Sequence, residues 1–428
     1  MSWIPSANAA GADFPIQNLP FAAFRRRGSS EPFRGGVAIG DRVLDLASLS
    51  ASGLLAGMAA DAARACAWPV LNDFIAMGHG AWSALRAGLF DLLHASASQV
   101  VIAAVQRSLI DSGNTEYAVP TTVGDFTDFY TSLYHAVNIG KLLGIEKPSP
   151  NFFTMPIAYH GRSSTIGVSG QSVPRPKGQI RSDTNDTLVF GPTKRLDYEM
   201  ELGIVVGPGN VRGERIALSD ADAHLFGMCL LNDWSARDIQ IWEYQPLGPF
   251  NAKNFATTIS PWIVTLEALE PFRVPHEHDD EAPPLLDYLR CERNQAQGAF
   301  DIQLEVWLQV SRDQCASGRP VRVSSTSFRH QYWTAGQMLA HHTSGGCAIR
   351  SGDILGSGTV SGPNDGEAGA LIEITRAGAN PLSLGDGEVR AFLEDGDTVI
   401  MRGWCARPGF RSIGFGECRG QVTEAVRD

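Results

Sequence analysis

Residues 196–209, LDYEMELGIVVGPG, decide how the chain is read. Glu201 to Val206 has the apolar, β-branched composition of a short strand, and Gly207-Pro208-Gly209 ends it. Side chains two apart on a strand share a face. Glu199 and Glu201 therefore present two oxygen donors side by side, while Met200 and Leu202 turn the other way. Two further carboxylates lie among apolar or aromatic residues: Asp128 in DFTDFYTSLYH and Asp233 in LLNDWSARD. A carboxylate in such company is expected to be paired, protonated or bound to a metal. The set suits a hard cation such as Ca²⁺ or Mg²⁺. No Cys/His spacing of the zinc kind competes with it. Other readings stand beside these: Glu199 and Glu201 also fit a strand with one wet face, and Asp233 a helix N-cap before Trp234.

A chain of 428 residues, 43% hydrophobic and 19% charged, is long enough for a large core and two domains. Its 45 glycines and 24 prolines favour turn-rich β architecture over a helical bundle. A formal charge of −11 speaks against sequence-independent nucleic-acid binding. The seven cysteines, Cys66, Cys229, Cys291, Cys315, Cys347, Cys405 and Cys418, are odd in number and without CxxC spacing, as in reduced proteins of the cytosol. The first residues, MSWIPSANAAGADFPIQNLPF, lack the basic and apolar regions of a signal peptide. No apolar run approaches the roughly 18 residues of a membrane helix. These features predict a cytoplasmic protein with no membrane partner.

Residues 1–118 read as a small N-terminal domain, a short β unit with appended helices. Val37-Ala38-Ile39 and Val43-Leu44-Asp45-Leu46 flank Gly40-Asp41, a two-residue loop of type II′ composition. Helical periodicity follows in LNDFIAMGHGAWSALRAGLFDLL, residues 71–93. Residues 119–428 read as a larger domain of short strands, among them TIGVSG, PWIVTLEAL, FDIQLEVWLQV, ALIEITRAG and DTVIMRGWC. Loops such as EHDDEAPP and GTVSGPNDGEAGA interrupt them. Too few helices alternate with these strands for a doubly wound sheet, so a β-rich α+β fold with a sandwich, barrel or roll is expected.

Among ten histidines, His135 is the candidate general base, seven residues after Asp128. His341 and His342 belong to a helix that ends at Gly345-Gly346 and read as structural. Arg237, Gln240 and Tyr244 follow Asp233 at offsets of four, three and four, one face of a helix. A cation, an amide and a phenol aimed together suit a carboxylate or an oxyanion; a solvated amphipathic helix is the plainer reading. Lys253 adds a cation, and Thr257 and Thr258 adjoining hydroxyls. Thr359 sits in the glycine-rich loop GSGTVSGPNDGEAG, where backbone N–H groups can approach an anion or simply turn. Glu373, between isoleucines, reads either as the acid that orients an imidazole or as an exposed strand position.

In this order the motifs resemble the fumarylacetoacetate hydrolase family, from DFPIQNLPF through AYHGRSSTIGVSG, NDWSARDIQIWEYQPLGPF and YWTAGQMLAHHTSGGC to FLEDGDTVIMRG. The resemblance implies a homodimeric enzyme of the tyrosine and phenylalanine breakdown route, with a small SH3-like N-terminal domain followed by a mixed β-sandwich roll. It would hydrolyse the C–C bond of the diketo acid 4-fumarylacetoacetate without an organic cofactor. By that likeness Asp128, Glu199, Glu201 and Asp233 are the Ca²⁺ or Mg²⁺ ligands, and Asp233, Lys253 and Thr257 form a secondary Mg²⁺ environment. His135 matches the base that activates water and Glu373 the acid that orients it. Arg237, Gln240 and Lys253 match groups that stabilise the oxyanion and the departing carbanion. Tyr130, Tyr159, Gln240, Tyr244 and Thr359 match substrate contacts. One departure stands out: Gly144 occupies the place of a substrate-holding arginine, with Lys141 and Lys147 as substitutes. Rival readings are an acylpyruvate hydrolase, an isomerase or decarboxylase of enolisable diacids, and a calcium-stabilised β-protein without turnover.

Overall fold

The computed structural model describes residues 1–182, 187–276, 282–311, 318–385 and 387–427. Cys315 and most of the EHDDEAPP loop lie outside the described residues. The first sheet has five strands, in the spatial order Leu109–Asp111, Arg42–Asp45, Arg34–Ile39, Phe21–Arg26 and Thr115–Ala118. All neighbours are antiparallel. The expected hairpin is present, with Gly40 at φ +57°, the left-handed value its first turn position demands. The helix His79–Leu93 buries Trp82, Leu85, Leu89 and Leu93, an apolar stripe at helical spacing, against Phe21, Phe74 and Ile75. Phe226 and Ile263, from later in the chain, complete that core.

From Phe126 onward the chain builds two facing sheets. One has the spatial order Ala158–Gly161, Phe126–Phe129, Ile354–Gly356, Met200–Val206, Leu225–Asp233, Thr257–Ile259 and Ile166–Val168. The other runs Val321–Ser327, Gln303–Gln309, Thr398–Cys405, Ile413–Thr423 and Gln171–Pro174. Met200, Leu202, Ile204, Met228 and Leu230 of the first meet Leu304, Val306, Val399, Met401 and Phe415 of the second in one core. The opposite face of the first sheet carries Glu201, Leu231 and Asp233 at the alternate positions. Every residue of Met200–Val206 and of Leu225–Asp233 is buried, as expected of strands covered on both faces. The architecture is thus a sheet-rich mixture of α and β structure. Among the described residues no helix is long and apolar enough to cross a membrane.

Three local readings are corrected. ALIEITRAG is not a strand: Leu371–Ile374 is a short helix, whose Leu371 and Ile372 N–H groups are accepted by the Asp197 carboxylate. In PWIVTLEAL the strand is only Val264–Thr265, because the Thr265 hydroxyl accepts from Ala268 N and starts a helix. Asp233 is neither on the following helix nor its cap; it ends the strand Leu225–Asp233, and the helix Arg237–Glu243 has Ala236 at its N-cap.

Candidate active site and metal centre

The four carboxylates named from the sequence converge: one oxygen each from Asp128, Glu199, Glu201 and Asp233 lies within 4.8 Å of the others. Sheet register explains the convergence. Asp128 sits opposite Gly356, and Gly356 is opposite Gly203, two residues from Glu201. A Cβ at Gly356 would lie 2.9 Å from Asp128 Oδ1 and 3.1 Å from Glu201 Oε2, so glycine is what admits both carboxylates. Asp233 N donates to Glu199 O (3.1 Å), which joins the remaining two.

Two cations reach the cluster. Lys253 Nζ donates to Glu199 Oε2 (2.5 Å) and Asp233 Oδ2 (2.7 Å), and Arg237 Nη1 donates to Glu199 Oε1 (2.7 Å). Arg237 is also held by Asp197 (2.9 Å from Nε). Five buried carboxylates facing two cations leave three formal negative charges. Burial, then the repulsion of Asp233, pushes the Asp128 carboxyl well above the usual range; burial and Asp128 do the same to Glu201. Burial also acts against ionised Glu199, but Lys253 and Arg237 outweigh it and hold that carboxyl low. Asp128 Oδ1 and Glu201 Oε1 are buried acceptors without a hydrogen-bond partner. Orphaned oxygens in an all-oxygen, negatively charged nest fit a hard divalent cation. The Thr257 hydroxyl donates to Asp233 Oδ1 (3.4 Å).

His135 lies in the helix Leu133–Leu142, whose Ser132 cap accepts from His135 N. His135 Nδ1 lies 2.7 Å from Glu373 Oε1, a contact that in the neutral imidazole favours the tautomer with Nδ1–H donating and the lone pair on Nε2. Asn138 Nδ2 donates to Glu373 Oε2 (2.8 Å), and Ser361 Oγ donates to the same carboxylate (2.9 Å). Tyr130 packs edge-on to the His135 ring at 5.3 Å. The Tyr159 hydroxyl donates to Asp233 Oδ2 (3.2 Å). Tyr159, Arg162, Lys253, Asp233, Asn254 and Thr257 are among the residues that line a cavity of about 160 Å³.

Gln240 accepts from Arg237 Nη1 (3.0 Å). Thr359 is buried, and its Oγ1 has no partner. Tyr244 caps the end of the helix Arg237–Glu243, is 36% exposed, and its hydroxyl accepts from Gln245. His341 and His342 engage Tyr288 and Thr127 instead. Gly144 lies in an exposed turn at φ +72°. Asp197, Asn138, Ser361 and Gly356 were missed from the sequence. Two had a signal: Asp197 continues the Glu199–Glu201 alternation, and Asn138 lies one helical turn from His135.

Residues 17–120 match the family model described as fumarylacetoacetase N-terminal, and residues 126–423 the model described as fumarylacetoacetate hydrolase C-terminal. The chain is 46% identical to a fumarylacetoacetase of Oryza sativa subsp. japonica, covering 98% of this chain and 96% of that one. It is 42% identical to the fumarylacetoacetase of Homo sapiens, over 100% and 99% of the two chains. A solved structure of a fumarylacetoacetate hydrolase from Exiguobacterium antarcticum superposes with a TM-score of 0.52 at 15% identity, covering 95% of this chain and 99% of that one, a likeness of fold. The chain belongs to the fumarylacetoacetate hydrolase family and is a hydrolase.

Proposed function

We propose that the chain hydrolyses the C–C bond of 4-fumarylacetoacetate to fumarate and acetoacetate, the last step of tyrosine and phenylalanine breakdown. The observation that carries this reading is the His135–Glu373 pair set beside a four-carboxylate nest with orphaned oxygens. Nearly full-length identity to fumarylacetoacetases supports the choice of substrate.

His135 Nε2 takes a proton from water, and the oxygen adds to the fumaryl-side carbonyl carbon of the β-diketone. Glu373 keeps the imidazole in the tautomer this step requires and faces the charge that forms on it. The tetrahedral adduct collapses: the C–C bond breaks, its electron pair leaves on acetoacetate as an enolate, and the proton from His135 returns to the enolate carbon. Arg237, Gln240 and Lys253 stabilise the oxyanion and the departing enolate. Asp128, Glu199, Glu201 and Asp233 would hold Ca²⁺ or Mg²⁺, which would supply Lewis acidity at this site. Tyr130, Tyr159, Gln240, Tyr244 and Thr359 contact the substrate. A secondary Mg²⁺ beside Asp233, Lys253 and Thr257 would rest on the carboxylate and the hydroxyl, because the Lys253 ammonium offers no lone pair.

The same reading extends to the whole protein: residues 1–118 as an SH3-like unit, 119–428 as the catalytic unit, and a cytoplasmic homodimer. Side-by-side turnover of fumarylacetoacetate and of acylpyruvates, with products identified by NMR, tests the substrate. A preference for acylpyruvates would replace it.

A further inference from the structure

We infer that Asp197 is the positioning residue that locks the base-bearing half of the site to its metal-bearing half. The inference rests on the roles proposed for His135–Glu373 and the carboxylate nest.

Asp197 is fully buried, and its one carboxylate receives donors from three chain segments. Oδ1 accepts from Tyr198 N (2.8 Å) and Leu371 N (2.8 Å). Oδ2 accepts from Ile372 N (3.1 Å) and Arg237 Nε (2.9 Å), with Arg237 Nη2 at 2.8 Å. Leu371 and Ile372 open the short helix that carries Glu373 to His135. The other arm of Arg237 holds Glu199, a member of the nest. A continuous chain of contacts therefore runs from His135 through Glu373, the helix Leu371–Ile374, Asp197 and Arg237 to Glu199. The placement of both ends decides the proposed chemistry, and Asp197 is the link that touches both the helix and the guanidinium.

An asparagine fits the same volume but presents a donor where an oxygen now accepts. If its amide takes the place of Oδ2, Ile372 N and Arg237 lose their acceptor; if it takes the place of Oδ1, Leu371 N and Tyr198 N do. In either orientation one half of the site is released. A residue that served only as a core ion pair would change melting temperature and leave metal affinity and kcat untouched.

The test combines kinetics, calorimetry and amide exchange. Asp197→Asn is expected to lower kcat on fumarylacetoacetate by about 10- to 100-fold, with KM moved less than about threefold. Ca²⁺ affinity of the chelator-stripped protein should weaken about tenfold. Combined with Glu373→Gln, the loss in kcat should fall short of the product of the two separate losses. Unchanged Ca²⁺ affinity, or losses that simply multiply, would overturn the inference. Should Asp197→Asn fail to fold, Arg237→Lys leaves Asp197 in place and addresses the same link. Exchange at the Leu371 and Ile372 amides should then quicken by about tenfold or more. Unaltered exchange there would also overturn it. Calorimetry and exchange need no substrate, so a wild type inactive on fumarylacetoacetate would refute the proposed function and leave these readouts to judge Asp197.

Discussion

His135 Nδ1 and Glu373 Oε1 lie 2.7 Å apart although 238 residues separate them in the chain. Burial works against an ionised Glu373, yet His135, Asn138 and Ser361 together hold its carboxyl below the ordinary 4.5. A depressed value means that Glu373 adds stability above about pH 4.5, which is lost as pH falls through the lower folded value. The gap in urea midpoint between pH 7 and pH 3 should therefore be narrower for Glu373→Gln than for wild type. The same variant should lose about 10²-fold or more in kcat at pH 7, because the imidazole loses the partner that fixes its tautomer. An unchanged kcat would remove Glu373 from the mechanism.

Gly356 separates Asp128 from Glu201 by nothing but backbone. A methyl group there would meet Asp128 Oδ1 at 2.9 Å and Glu201 Oε2 at 3.1 Å. Gly356→Ala should keep its far-UV spectrum and weaken Ca²⁺ or Mg²⁺ binding by about tenfold or more, read by calorimetry. Wild-type affinity in this variant would show that the two carboxylates do not need their present spacing.

Chelation should destabilise the protein. With no cation, burial and mutual repulsion disfavour the charged forms of Asp128 and Glu201. Adding Ca²⁺ to stripped protein at a hundred times Kd should stabilise it by about 2.7 kcal/mol through mass action, seen as a rise in Tm by scanning fluorimetry. No movement of Tm at saturating Ca²⁺ or Mg²⁺ would argue against a metal at this nest.

The six described cysteines are free, but they differ in access. Cys66, Cys229, Cys405 and Cys418 are buried, and burial pushes the Cys229 thiol up to about 12. Cys347 is exposed. Brief alkylation of native protein followed by peptide mapping should label Cys347 and spare those four. Early labelling of Cys229 or Cys418 would mean that the sheet core opens.

The nest was legible because its residues break a pattern: Glu199, Glu201 and Asp233 stand in segments that are otherwise largely apolar. His135 stood near Asp128 in the chain, and a helix bearing Arg237 and Gln240 was readable from spacing. Glu373 was named as the imidazole's acid but assigned to a strand. Its isoleucine neighbours carry a β signal that the tertiary Asp197 hydrogen bonds override. Gly356 stayed unread because its importance depends on sheet register, which local sequence does not specify for non-adjacent strands. Helical spacing also placed Tyr244 with Arg237 and Gln240: it ends that helix at the C-cap, its N–H donating to Gln240 O, and is 36% exposed.

The most direct test follows the ultraviolet absorbance of fumarylacetoacetate for wild type and His135→Ala, each with bound Ca²⁺ and after chelation. The metal-loaded wild type should consume it rapidly, yielding fumarate and acetoacetate. Turnover should drop on the order of 10²–10⁴-fold in His135→Ala and comparably on chelation. Undiminished turnover by folded His135→Ala, or none by metal-loaded wild type, would contradict the proposed function.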